Sequence, residues 1–271
     1  MTGFSAATAA VLTPDGRFTG YVPPGWEQGH GTFGGVVLGL LARAAAAAAA
    51  RDRGAPQRIV SVSADLMAPV FAGPVAGATS VLAQARDSAH VEALLLGPAG
   101  ARLARMTALM GAPNASGGPE VSPAAPTTQP GAWERAAQIY VGPPVGPAFA
   151  LNYAYRTNAP VPFSGSEAPR SSGYLRAREP DGPLDVPTLI GLLDAWWPAT
   201  YVSQTQPNPV VTVGFAAQFP EPPTALSPSE PFFFRGHVVS QRSGTCTEYR
   251  EMWQGPRLVA TNQQVYKFLR P

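Results

Sequence analysis

Few residues in this 271-residue chain are equipped for chemistry. There is one cysteine, Cys246, and the three histidines, His30, His90 and His237, are isolated from one another. A single cysteine excludes an intramolecular disulfide and a cysteine-rich metal centre, and histidines so scattered lack the ligand spacing of zinc sites, so no metal is expected. Serine-hydrolase chemistry finds no G-x-S-x-G motif. Cys246, beside Gly244 and Thr245 in a strand-like stretch, reads as a small buried apolar residue. The carboxylates are more telling. Asp194 interrupts Leu189-Ile190-Gly191-Leu192-Leu193-Asp194-Ala195-Trp196-Trp197, the most hydrophobic helical stretch of the second half. An acid there either faces solvent on one side of the helix or is buried, and a buried acid must be satisfied or used.

The second candidate is the run Gly29-His30-Gly31-Thr32-Phe33-Gly34-Gly35. It fits G-x-G-x-x-G and opens a helix, but a dinucleotide fingerprint needs a strand running straight into its first glycine. Here Pro23-Pro24-Gly25-Trp26-Glu27-Gln28 makes a turn instead, and no cofactor is expected. Two readings remain for the glycines. One is a tight turn with close helix packing. The other is an oxyanion site at His30, Gly34 and Gly35, where free backbone N–H groups and the positive end of a helix dipole meet a carbonyl oxygen that becomes negative. Missing side chains at Gly34 and Gly35 would let a substrate approach the backbone.

The elements that must hold these residues follow from periodicity and turn residues. A strand is predicted over 17–22 and a helix from residue 32 or 33 to about 51–54, ending in an alanine run of high helix propensity. Alanine also leaves so little bulk that a sheet can wrap the helix closely. Strands are predicted over 58–67, 75–85, 90–96 and 101–110, separated by Pro69, Gly73-Pro74, Asp87-Ser88 and Gly97-Pro98. A stretch rich in Pro, Ala, Ser and Gly over 111–131 reads as a linker. The order then repeats. Strands are predicted over 151–157 and 172–178, a helix over 186–202, and strands over 210–219, 232–241, 245–253 and 258–269. Arg86 and Arg242, and Glu92 and Glu248, match at one spacing, and Leu103 matches Leu258 one residue out of it. Pro69 is matched to Pro220. Duplication is the reading, with each half wrapping its sheet around its own helix and the two sheets joined edge to edge.

Composition bounds the partners. With 45% hydrophobic and 13% charged residues the chain is globular, and a net charge of +2 with Lys267 as the only lysine argues against nucleic acid. No run of about 18 consecutive apolar residues appears, and residues 1–14 lack a positive n-region, so no membrane insertion and a cytoplasmic location are expected.

Taken in order, Gly16-Arg17-Phe18, Trp26, His30-Gly31-Thr32-Phe33-Gly34-Gly35, Ser61-Val62-Ser63-Ala64-Asp65-Leu66 with Pro69, Leu193-Asp194-Ala195, Val211-Thr212-Val213 and Leu258-Val259-Ala260-Thr261-Asn262-Gln263-Gln264 resemble the acyl-CoA thioesterase II type of double hot-dog thioesterases. The likeness covers nearly the whole chain. It implies an α+β double hot-dog, with an N-terminal hot-dog at 1–112, a Pro/Ala-rich linker at 113–145 and a C-terminal hot-dog at 146–271. It also implies hydrolysis of acyl-CoA or an acyl-carrier thioester, without cofactor, by a homodimer. In that family an Asp, a Thr and a Gln hold the attacking water, and by position these fall on Asp194, Thr212 and Gln264. A carboxylate would serve as general base, with the hydroxyl and amide fixing the water's other hydrogen bonds.

Two departures stand out. Gly214 and Gln218 occupy places where the family often has Asp and His, which opens a reading as a silent acyl-thioester binding protein. A hot-dog enoyl-thioester hydratase is the other alternative, with His30 as its one support. Matching Leu103 to Leu258 sets Leu109 opposite Gln264, and matching Pro69 to Pro220 sets Ser61 opposite Thr212, so one site per chain is expected. A one-residue slip would exchange Gln264 for Gln263.

Overall fold

The computed structural model describes residues 2–54, 57–111, 121–127 and 131–269. In chain order the elements are α1 (Phe4–Ala7), β1 (Ala10–Leu12), β2 (Arg17–Val22), β3 (Glu27–Gln28), β4 (Gly31–Thr32), α2 (Gly34–Arg53), β5 (Arg58–Leu66), β6 (Gly73–Gln84), β7 (Ser88–Leu96), β8 (Arg102–Gly111), α3 (Ala132–Arg135), β9 (Gln138–Ile139), β10 (Tyr153–Arg156), β11 (Arg170–Ala177), α4 (Val186–Ala195), β12 (Val210–Gln218), β13 (Phe232–Arg242), β14 (Thr245–Gln254) and β15 (Arg257–Phe268). Apart from the small β3–β4 hairpin, the strands form one antiparallel sheet of 13, ordered β1-β2-β6-β7-β8-β5-β12-β15-β14-β13-β11-β10-β9. The expected double hot-dog architecture is thus found, its two sheets joined edge to edge through β5 and β12.

Helix α2 lies against β6, β7 and β8 and against α4. Val36, Leu38, Leu40, Leu41, Ala42, Ala44 and Ala45 are all buried. Alanine on this face lets the strands come close to the helix axis, and Gly54 at φ 68° stops the helix in the left-handed conformation that glycine adopts freely. By length and composition Gly34–Asp52 is apolar enough to cross a membrane, but 72% of that span is buried inside the protein, as a core helix requires. The two helices run antiparallel: Gly34 approaches Asp194, Gly35 approaches Gly191, and Arg43 reaches Asp185. A Cβ on Gly35 would lie 3.1 Å from the Gly191 Cα, so the crossing depends on both glycines.

The second helix is shorter than expected. It ends at Ala195 rather than continuing to residue 202, because Trp196 turns extended (ψ 135°) and Trp197 precedes Pro198, a position that disfavours helical backbone. A separate 3-10 turn, Ala199–Ser203, follows. Likewise Leu151, expected in a strand, belongs to the 3-10 turn Ala148–Asn152 ahead of β10. Within 113–145, residues 113–120 and 128–130 lie outside the described residues, while Ala132–Arg135 forms α3 and Gln138–Ile139 adds edge strand β9. The short α1 and β1 had no clear sequence signal.

The strand registers reveal the duplication and correct its alignment. Three bulges recur: Val60 and Val213 are skipped in the β5–β8 and β12–β15 ladders, Leu82 and Val239 in the β6–β7 and β13–β14 ladders, and Leu103 and Val259 in the β7–β8 and β14–β15 ladders. At the seam Ser63 pairs with Ala216, its own equivalent, so a pseudo-two-fold passes between them. In this register Ile59, not Ser61, is the counterpart of Thr212, and Ala108, not Leu109, that of Gln264. Val91, not Glu92, answers to Glu248. The longer β7–β8 loop accounts for the one-residue step between the two matched spacings, but the matches themselves stand one residue off the true register in β7–β8 and two off in β5, because single identities such as Glu92 with Glu248 do not fix a strand's register.

Candidate active site

The helix-facing side of the second half carries polar residues where the first half carries apolar ones. On β14, Cys246, Glu248 and Arg250 stand where β7 has Ala89, Val91 and Ala93; on β15, Asn262, Gln264 and Tyr266 stand where β8 has Met106, Ala108 and Met110. All twelve are buried. Burying so many polar groups on one sheet face is costly unless each is paired, and the pairing leads to Asp194.

Asp194 sits in the last turn of α4, directly over the start of α2; a Cβ on Gly34 would fall 2.7 Å from its Oδ2. The Gly35 backbone N–H and the Gln264 side-chain amide lie beside its carboxylate and favour its ionised form. Helix α2 has no side-chain cap of its own at Phe33; the Val36 and Val37 N–H groups bond to the Phe33 carbonyl, and Asp194 stands over the remaining start of the helix at Gly34 and Gly35, where its charge meets the positive dipole end. Burial nevertheless dominates and pushes the Asp194 carboxyl up to about 6, against the pull of Arg250, the Gly35 amide and Gln264.

Gln264 links the carboxylate to the sheet. Its Nε2 donates to Asn262 Oδ1 at 3.0 Å, and its Oε1 accepts from the Thr212 hydroxyl at 3.3 Å. Asn262 in turn donates to the Ala216 carbonyl at 2.9 Å. Asp194, Thr212 and Gln264, expected to act together, therefore form one connected group, with Gly34 and Gly35 beneath it. Gln264 is wholly buried whereas Gln263 is exposed, so β15 runs in the register that turns Gln264 inward.

His30 is not brought into this group: it stands exposed in the turn of the β3–β4 hairpin, and His90 and His237 are exposed as well. The histidine and aspartate pair wanted by a hydratase is absent among the described residues. The departures at Gly214 and Gln218 lie elsewhere too. Past the bulge at Val213, Phe215 and Ala217 turn inward, so Gly214 and Gln218 fall on the opposite face of β12, where Gln218 accepts from Thr261 at 2.6 Å. They do not thin the network around Asp194. Among the described residues no cluster suited to a metal ion occurs.

Sequence reasoning missed the support behind Asp194. At the front of α4, Asp185 caps the Thr188 N–H at 2.8 Å and pairs with Arg43 of α2 at 2.6 Å. At its end, the buried Arg250 donates to the Leu193 and Trp196 carbonyls, each at 2.8 Å, and pairs with Glu248 at 2.6 Å. The signal was parity: Glu248 and Arg250 share a strand face with Cys246 and Met252, which marks them as inward.

Comparison with known proteins agrees with this layout. No curated protein matches the sequence. In structure the chain is similar to a protein of unknown function with the hot dog fold from Alicyclobacillus acidocaldarius (TM-score 0.86, 20% identity, 100% of this chain and 99% of that one). It is also similar to a candidate thioesterase II from Thermobifida fusca (0.81, 21%, 100% and 98%) and to the acyl-CoA thioesterase II TesB2 from Mycobacterium marinum (0.75, 16%, 99% and 99%). At such identities the likeness speaks for the fold alone. The family models reach further: residues 22–111 match the acyl-CoA thioesterase N-terminal domain and residues 119–266 its C-terminal domain. Together these matches cover most of the chain in the order the fold requires, and the protein belongs to the acyl-CoA thioesterase family.

Proposed function

We propose that the protein hydrolyses an acyl-CoA thioester by attack of a water held between Asp194, Thr212 and Gln264. The observation that carries this reading is the trio itself: a carboxylate raised to about 6, beside Gln264 and through it the Thr212 hydroxyl, at the glycine start of α2. A general base works best with a pKa near the operating pH, because it is then ionised yet still basic enough to take a proton. The carboxylate has lone pairs free for water, and the Thr212 oxygen retains lone pairs as well. A water donating to both would present its own lone pair to the thioester carbonyl. As the tetrahedral oxyanion forms, the Gly34 N–H and the positive dipole end of α2 stabilise it. The Asp194 carboxylate takes the water's proton, and the CoA thiolate departs.

Thiol release from acyl-CoAs of increasing chain length, measured for the wild type beside Asp194→Asn, tests this. Asparagine has the same size and shape, so the variant keeps its fold while losing the base. Release should peak at one chain length and fall at least a hundredfold in the variant, about the contribution of a general base. Turnover unchanged in Asp194→Asn would sink the assignment.

A further inference from the structure

We propose that Arg250 is the positioning residue for Asp194: its guanidinium clamps the end of α4 on both sides of the aspartate and supplies the buried positive charge that faces the carboxylate. The inference rests on Asp194 being the general base.

The geometry is that of a clamp. Arg250 Nη1 donates to the carbonyl of Leu193, the residue before Asp194, and to that of Trp196, two residues after it. These carbonyls lie at the helix end, where intrahelical donors run out and the dipole is negative, so a guanidinium satisfies both needs. The other nitrogens are committed as well: Nε donates to Glu248 Oε1 at 2.6 Å and Nη2 to the Tyr266 hydroxyl at 2.5 Å. Glu248 is fixed by the Ala199 N–H at 2.7 Å, in the 3-10 turn just beyond α4. The guanidinium therefore cannot swing without breaking several buried bonds, and neither can the turn that carries Asp194. A planar fork makes this possible where a lysine ammonium would act as a point charge.

The other groups around Asp194 cannot substitute for this charge. Helix α2 presents only the backbone of Gly34 and Gly35. From β10, Tyr153 and Tyr155, and from β15, Tyr266, are electrostatically coupled to Asp194, but burial raises all three and they stay neutral. On β14, Cys246 is pushed up to about 11 by burial and Glu248 is paired to Arg250 itself. Arg250 is thus the cation acting on the carboxylate. The first half carries Ala93 at the equivalent place.

The test is the titration of the Asp194 carboxyl carbon by 13C NMR, its signal assigned by loss in Asp194→Asn, run beside the pH profile of kcat for thiol release. Arg250→Met alone would strand the buried Glu248, so the double variant Glu248→Gln with Arg250→Met removes both charges. In it the Asp194 midpoint should rise by about one pH unit or more, with the acid limb of kcat following. Glu248→Gln alone, which leaves the cation unopposed, should move the midpoint down or not at all. Arg250→Lys keeps the charge but not the fork, and should hold the midpoint while lowering kcat about tenfold at unchanged KM. A midpoint unmoved in the folded double variant overturns the role of Arg250 whatever the turnover. Thiol release that survives Asp194→Asn overturns the general-base reading instead, and the NMR midpoint then decides the electrostatic role by itself.

Discussion

Asp194 answers to two demands that pull in opposite directions. Close to the positive end of α2 its charge is favoured; as a half-buried charge lifted out of water it is not, and desolvation wins, which is why its carboxyl rises to about 6 from the ordinary 3.8. A folded-state pKa above the unfolded value means that ionisation costs stability. That cost is absent below about pH 4, grows as pH climbs to about 6, and is constant above. Asp194→Asn should therefore make the protein more stable at pH 7.5 by about 2 to 3 kcal/mol, the equivalent of two pKa units, with the gain vanishing near pH 4. Denaturant melts of both proteins at the two pH values check this, and a variant less stable at pH 7.5 would mean that the pull of the helix end outweighs desolvation. In activity the same group runs the other way, with turnover in the wild type falling as pH drops through about 6. The neighbouring glutamines offer a sharp contrast. Gln264→Ala removes the link between Asp194 and Thr212 and should cut kcat at least tenfold, whereas Gln263→Ala, on the exposed face, should leave thiol release within a factor of two. Nothing in the residue types distinguishes these two; only strand parity does, and parity could be counted from either residue until Asn262, Gln264 and Tyr266 were seen to share the buried face.

At the scale of elements, the site is the crossing of two helices, and glycine sets how closely they approach. Gly34 and Gly191 are both packed, but against different things. A Cβ at Gly34 would strike the Asp194 carboxylate at 2.7 Å, whereas one at Gly191 would strike the Phe4 ring at 2.4 Å and not the trio itself. Gly34→Ala should consequently displace the base and lower kcat at least tenfold with a modest loss of stability. Gly191→Ala should destabilise the fold by about 1 to 3 kcal/mol through overpacking and leave the pH profile of kcat where it was. Parallel thiol-release and melting measurements separate the two, and equal losses of activity in both would refute the division. The helices themselves were legible: the alanine run and apolar periodicity specify α2 almost to the residue. The end of α4 was less so, because apolar pattern continues through Trp196 and Trp197 and only Pro198 announces the break. The clamp by Arg250 had no local signature, since its partners Leu193 and Trp196 lie more than fifty positions away and are reached through backbone carbonyls that any residue would provide.

The whole molecule is one unit built twice and equipped once. Duplication fixes the sheet order, the three bulges and the seam at Ser63 and Ala216, all of which recur in both halves because they are set by backbone geometry. Side chains on the helix-facing side are free of that constraint, and around the site the halves diverge: Ile59, Val91, Ala93 and Ala108 make a dry core where Thr212, Glu248, Arg250 and Gln264 make a polar one. Apolar residues at the first-half positions cannot orient water, so the pseudo-equivalent position is structural. The two halves nonetheless meet at one point, since the first half supplies the helix start at Gly34 and Gly35 and the second supplies the Asp194 carboxylate over it. Calorimetric titration with a non-hydrolysable acyl-CoA thioether should therefore give one site per chain, and Asp194→Asn, which keeps the size and shape of the side chain, should preserve that stoichiometry. Two sites per chain would mean that the apolar half also binds the acyl thioester, and that burial of polar residues in the second half serves hydrolysis alone rather than recognition.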